Sequence, residues 1–203
     1  MNRQEQPPAR GAHPGPRALA LLPMIEEIIL HEGFSRLSVS ELAERLCCSK
    51  RTLYELAPSK NELVLRILNA FFLRIRTDAS TAAAAQSSSQ QGLHDYLQVG
   101  VRAAQRLSQV TVTDIQQWAP ALEVWRDHVR LRVQGFCVLL EQGIRAGEFR
   151  NVRPVLVAEI VFASLSRILQ PEFYSTTRIS ISEAFHEYYA LLMAAITDEH
   201  PQR

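Results

Sequence analysis

Two serines eleven residues apart, Ser38 and Ser49, each open a short helical pattern, and between them they leave the chain little freedom. A serine hydroxyl accepts a hydrogen bond from one of the free N–H groups at a helix start, so each reads as an N-cap. Glu41, three residues after Ser38, completes a capping box. Leu42, Ala43 and Leu46 give the first helix its apolar side, and Leu53 and Leu56 do the same for the second. Only Cys47-Cys48 separates Leu46 from the second cap. Two short helices joined that tightly form a helix-turn-helix. Pro58-Ser59-Lys60 then announces a third helix, capped by Ser59.

The polar side of the second helix carries Lys50, Arg51, Thr52 and Tyr54, which can reach phosphates and base edges from a major groove. Lys60 stands beside a helix N-terminus, where the dipole disfavours a cation. Its position makes sense if an external anion such as a DNA phosphate binds there. Within residues 46–60 three cations, Lys50, Arg51 and Lys60, face the single acid Glu55. The net charge of the whole chain is only +1, so any nucleic-acid signature is local.

At these residues the chain resembles the TetR family of bacterial transcriptional regulators. Gly33, Phe34, Ser38, Val39, Leu42, Ala43, Ser49, Thr52, Leu53, Tyr54, Ser59, Lys60 and Leu63 fit that family's pattern without a gap. Three positions depart from it. Cys47 stands at the usual turn glycine, where a positive φ costs a non-glycine residue on the order of 1 kcal/mol. Arg51 replaces a glycine near the start of the recognition helix, adding a long charged reader. Ala57 replaces the Phe that plugs the small three-helix core. Base preference is therefore expected to differ from that of typical members, and the module to be less stable. The resemblance implies DNA contacts from Ser38, Lys50, Arg51, Thr52, Tyr54 and Lys60. Lys50 and Arg51 are assigned to base edges, Thr52 and Tyr54 to phosphate.

An apolar fraction of 47% over 203 residues suffices for a sizeable core. Glu26-Glu27 and Glu159 interrupt the longest apolar stretches, so no membrane span is expected. The N-terminus lacks a basic-then-apolar leader pattern, and three cysteines, an odd number, point to reduced thiols in the cytoplasm. Cys47-Cys48 lies near Arg45, Lys50 and Arg51, but a role as a small hydrophobe suits Cys48 better than oxidant sensing. The six histidines have no helical i, i+4 partner and no cysteine pair at ligand spacing, so no metal site is expected. No nucleophile elbow or phosphate loop occurs, and no cofactor or catalytic residue is assigned.

The expected fold class is all-α. Residues 1–16, rich in Pro and Gly, read as a disordered arm, residues 17–63 as the helix-turn-helix domain, and residues 64–203 as a larger helical domain. A first helix should run from Arg17 or Leu22 to His31, with Pro23 either starting or kinking it. The helix opened by Ser59 carries Leu63, Ile67, Leu68, Phe71, Phe72 and Ile75 out of the DNA-binding module. Ser87 to Gly92 reads as a loop, followed by a helix over 93–107. Val110-Thr-Val-Thr and the next residues to Trp118 read as a broken helix. A long helix begins at Pro120, with Leu122, Trp125, Val129, Val133, Phe136, Leu140 and Ile144 on one face and a C-cap at Gly147. Two final helices cover about 152–169 and 179–197. The first is apolar nearly all round and needs cover on more than one side.

The resemblance implies that this last pair packs against its twin in a symmetric homodimer, with Val155, Val161, Phe162, Leu165, Phe185, Tyr188 and Leu192 at the interface. It also implies a cavity for a small-molecule effector of unknown identity, with Phe72, Tyr96, Trp118, Trp125, Phe136 and Phe162 as candidate lining. The expected function is a ligand-responsive regulator, a repressor in the usual case, that binds double-stranded palindromic operator DNA. The alternative is a ligand-binding or protein-interaction dimer that has lost operator reading, motivated by Cys47, Arg51 and Ala57. An enzyme built on the cavity is a third reading, for which no catalytic residue speaks.

Overall fold

The computed structural model describes residues 14–197, the side chains of Phe162 and Pro171 excepted. Most of the arm expected over residues 1–16 therefore lies outside the described residues. The order is α1 (Pro16–Leu19), α2 (Leu22–Glu32), α3 (Val39–Arg45), α4 (Lys50–Leu56), α5 (Lys60–Ala84), α6 (Ser89–Gln105), α7 (Gln109–Gln117), α8 (Ala119–Arg145), α9 (Pro154–Ile168), α10 (Pro171–Thr177) and α11 (Ile181–Ile196). Among the described residues the only β pairing is an isolated bridge between Phe149 and Thr197. The all-α expectation holds.

The chain forms two compact units. The first runs to Phe71 and also takes in Val110–Val124; the second comprises Phe72–Gln109 and everything from Trp125 onward. Two helices, α5 and α8, begin in the first unit and end in the second.

In the first unit, Pro23 sits in the opening turn of α2 and starts it. Proline is tolerated there because the first N–H groups of a helix have no internal partner. The residues before it form the separate short α1, where the sequence reading had the first helix starting at either Arg17 or Leu22; α1 packs on α4 and buries Ala18. Ile25, Ile29, Leu30, Leu42, Leu53 and Leu68 are buried together with Val112 and Ile115 of α7. Burying a side chain of that size is worth roughly 1.5–3 kcal/mol. The segment read as a broken helix is the continuous α7. It is held by polar bonds as well: the fully buried Thr111 hydroxyl lies 2.9 Å and 2.8 Å from the Ile29 and Leu30 carbonyls at the end of α2.

In the second unit α11 packs against α6 and α9. Leu93, Phe136 and Leu140 are fully buried. The stretch expected as a loop through Gly92 is shorter. Ser88 caps α6, its hydroxyl accepting from Gln91 N at 3.1 Å, so Gly92 is helical. A Cβ there would lie 3.1 Å from the Ala83 carbonyl oxygen, so glycine allows α6 to start close to the end of α5. Gly147 ends the α8 segment with φ 74°, as its position suggested. α10, between the last two expected helices, went unread; it ends at Arg178 in the left-handed region.

Candidate functional site

The helix-turn-helix forms as its caps dictate. Ser38 Oγ accepts from Glu41 N at 3.2 Å and Glu41 Oε2 accepts from Ser38 N at 2.8 Å, which is the full capping box. Ser49 Oγ accepts from Thr52 N at 3.1 Å and lies 2.9 Å from the Thr52 hydroxyl. Between the two helices Cys47 takes φ 48°, the left-handed conformation that glycine would adopt without strain. Cys48 is half-buried, and burial raises its thiol pKa, away from the thiolate that oxidant sensing requires.

Lys50 and Arg51, at the start of α4, are exposed and make no hydrogen bond or ion pair among the described residues. Ser38 is exposed, while Thr52 and Tyr54 are half-buried on the same two helices. Lys60 is different. Its ammonium donates to the Phe34 and Ser35 carbonyls at 3.0 Å and 3.3 Å. The cation that looked misplaced at a helix start thus has an internal role, closing the turn after α2, and no external phosphate is needed to explain it. Asp114 completes that turn from α7: buried, it accepts from Phe34 N at 2.6 Å and Ser35 N at 2.8 Å. Gly33 has φ 80°, and a Cβ there would come within 2.5 Å of Asp114 Oδ2. Arg66 of α5 donates to the Leu56 carbonyl at 2.6 Å, capping the C-terminal end of α4 beside buried Ala57. Asp114 and Arg66 were missed by sequence reasoning because both partners are backbone groups far along the chain.

The second unit contains a cavity lined by Phe72, Trp125, His128, Arg132, Leu165 and Phe185, among others. Counted out to its mouth it holds ≈ 510 Å³. Of the expected lining, Phe72 and Trp125 are present. Their rings meet edge to face at 5.1 Å, and His128 stacks on Phe72 at 4.6 Å. The other assignments are corrected. Trp118 belongs to the first unit, where its ring meets Phe34 edge-on at 5.7 Å. Phe136 faces the core. Tyr96 turns its hydroxyl to donate to the Arg132 carbonyl at 2.7 Å. The Phe162 side chain lies outside the described residues.

Sequence reasoning missed His128 and Arg132, each only 8% exposed. A signal existed: they fall three and seven residues after Trp125, on the same buried stripe of α8. Arg132 Nη2 donates to the Tyr96 carbonyl at 3.1 Å, and its guanidinium carbon sits 4.1 Å above the Tyr96 ring. It also donates to the Tyr189 hydroxyl. Its Nη1 is buried with no hydrogen-bond partner. Gly100 makes room for it, since a Cβ there would lie 2.9 Å from Nη2. No carboxylate lines the cavity. Burial, then Arg132, then Arg76 hold the His128 pKa down to about 3. The ring is therefore neutral, and Arg76 Nη1 approaches its Nδ1 at 3.4 Å as a donor.

On the two closing helices, Val161, Leu165, Phe185 and Leu192 are buried within the chain itself, and Tyr188 is half-buried. Leu165 and Phe185 line the cavity. A side chain already enclosed by its own subunit has little area left for a partner. Of the interface residues expected, Val155 is open, at 73% exposure; Leu156, Ile160 and Leu191 are exposed as well.

No helix among the described residues is long and apolar enough to cross a membrane. No three potential metal ligands gather among them.

A helix-turn-helix with free cations on its second helix, followed by a helical unit with an apolar cavity, defines a class of DNA-binding regulator. The chain belongs to the TetR family of transcriptional regulators: the family of bacterial regulatory proteins, tetR type, matches residues 24–67, and the tetracyclin repressor-like C-terminal domain matches residues 91–189. No curated protein sequence matches. Solved structures with the same fold include a ketosteroid transcriptional regulator of Mycobacterium tuberculosis, 19% identical, TM-score 0.60, covering 95% of this chain and 98% of its own. A putative regulator from Saccharomonospora viridis, solved with choline, is 14% identical with TM-score 0.69 over 90% of this chain and 98% of its own. A Bacillus subtilis regulator solved with stearoyl-CoA is 14% identical with TM-score 0.67 over 88% of this chain and 98% of its own. At these identities the likeness speaks for the fold.

Proposed function

We propose that this regulator is a repressor that binds a palindromic operator as a homodimer and is released when a small molecule fills the cavity of its second unit. The observation that carries the reading is the pair Lys50 and Arg51. They are exposed and, among the described residues, unpaired, on a helix whose start is set by the Ser49 cap. Cations left free at the N-terminal end of a recognition helix are placed to meet base edges, while Ser38, Thr52 and Tyr54 fix the register on phosphates. Lys60 keeps one donor beyond its two carbonyl bonds and serves DNA, if at all, as a long-range charge.

Dimerisation is supported by the apolar face that Val155, Leu156, Ile160 and Leu191 leave uncovered on α9 and α11. Two recognition helices must then reach major grooves about one helical turn apart, ~34 Å or a multiple. Effector response is supported by chain continuity. The first second-unit residues of α5 and α8 are Phe72 and Trp125, and both line the cavity. A ligand there shifts the population only if it binds the DNA-incompetent form more tightly.

Selection of bound sequences from random duplex DNA, at two salt concentrations, tests the reading. A palindrome with affinity falling steeply in salt is the expected result. No enrichment at low salt by folded dimer would shift the reading to a ligand-binding dimer that does not read DNA.

A further inference from the structure

The cavity holds a charge for which no counter-ion is found among the described residues. Arg132 is more than nine-tenths buried, and its Nη1 has no partner. Its anchors, the Tyr96 carbonyl, the Tyr96 ring face and the Tyr189 hydroxyl, are all neutral. Arg76, the other nearby cation, approaches neutral His128. A buried guanidinium without a counter-ion is unfavourable, because desolvation is not offset by pairing. Gly100 leaves room beside it: a Cβ there would lie 2.9 Å from Nη2, so the guanidinium would have to shift. The rest of the wall is mostly apolar, aliphatic residues together with Phe72, Trp125 and Phe185.

We propose that this cavity binds an organic monocarboxylic acid, its carboxylate paired with Arg132 and its hydrocarbon body lying against Phe72, Trp125, Leu165 and Phe185. The assignment deepens the reading of this cavity as the effector site and rests on it. With Nη2 already committed, the unpartnered N–H groups lie on Nη1 alone, which suits a single carboxylate better than a phosphoryl group, which needs donors on several sides. An empty volume of ≈ 510 Å³ counted out to the mouth suits a slim alkyl chain or a single ring. Unpaired, Nη1 would otherwise be satisfied by water, and a water demands no ligand charge.

The test is calorimetric titration of the full chain at neutral pH with octanoate and phenylacetate, each against its neutral amide. At least one acid is expected to bind about ten- to a hundredfold more tightly than its amide, the range of a charge-assisted hydrogen bond. Arg132→Gln should bring that acid down to the level of its amide, both measured on the variant. Equal binding of both acids and their amides, survival of the preference in Arg132→Gln, or no acid binding at millimolar concentration would overturn the assignment. Should the variant not fold, the acid–amide comparison in the unaltered chain decides alone. Operator binding is measured separately. An acid that binds with the predicted preference but leaves the operator complex intact supports the cavity assignment and refutes the effector reading.

Discussion

Arg51 and Arg132 are both arginines without an ionic partner among the described residues, and they teach opposite lessons. Arg51 stands in water on α4, where hydration costs it nothing and its field is screened within about 8 Å at physiological salt. It is available to a polyanion that comes close. Arg132 is held out of water by α6 and α8, where an unpaired charge is expensive and weakly screened. The first unit turns polar side chains onto its own backbone: buried Asp114 and Thr111, half-buried Lys60 and exposed Arg66 all bond to main-chain atoms. The second leaves a buried donor open. One region is rigid inside and reactive at its surface; the other is inert at this helix face and unfinished within.

The largest effect should come from breaking the closed network. Asp114→Ala leaves the Phe34 and Ser35 N–H groups without their acceptor and should cost roughly 3–4 kcal/mol, read by denaturant unfolding. A loss under about 1 kcal/mol would mean that water replaces the carboxylate.

Next comes the pH response of the open site. The His128 pKa lies at about 3 in the fold, below its ordinary value of 6.5, so the unfolded chain binds its proton first. The stability it contributes is complete above pH ~6.5 and is lost as pH falls toward ~3, at up to about 1.4 kcal/mol per unit. Against the unaltered chain, His128→Gln should show a shallower decline between these limits. Parallel curves would count against a buried neutral imidazole.

At the DNA surface, Arg51→Ala should weaken specific operator binding by roughly 1–3 kcal/mol and relax preference at one base position. Uniform weakening for all sequences would make Arg51 a phosphate contact. Its effect on folding should stay within about 0.5 kcal/mol, as for other exposed positions. Arg132→Met should do the reverse, leaving operator affinity intact while stability holds or rises by about 1 kcal/mol, because an apolar side chain pays no desolvation. The smallest change is Cys47→Gly, which removes the left-handed strain at φ 48° and should stabilise the first unit by about 1 kcal/mol in thermal unfolding.

Much of this protein was legible along the chain. The caps at Ser38, Ser49 and Ser88 are local devices, each closing over three residues, and Ser38 and Ser49 were read correctly as helix starts. Ser88 was overlooked because the serine run and Gly92 look like a linker, although the same chemistry starts α6 there. The stripe on α8 was read from its apolar members alone. His128 and Arg132 occupy the same face, and a polar residue in a buried stripe was the sign of the site.

The family, the all-α class, the helix-turn-helix and the positive φ at Cys47 follow from the sequence by itself, because each depends on residues within a few positions of one another. The tertiary structure decided the rest. A helix apolar nearly all round, such as α9, does not say which side turns inward. Packing against α11 and α10 buries Val161 and Leu165 and leaves Val155 and Ile160 outside. Lys60 finds carbonyls 25 and 26 residues away, Asp114 finds amides 79 and 80 away, and Trp118 finds Phe34 in place of the cavity. Periodicity sets the spacing of side chains along a helix, but the rotation of that helix about its axis is set by partners distant in sequence.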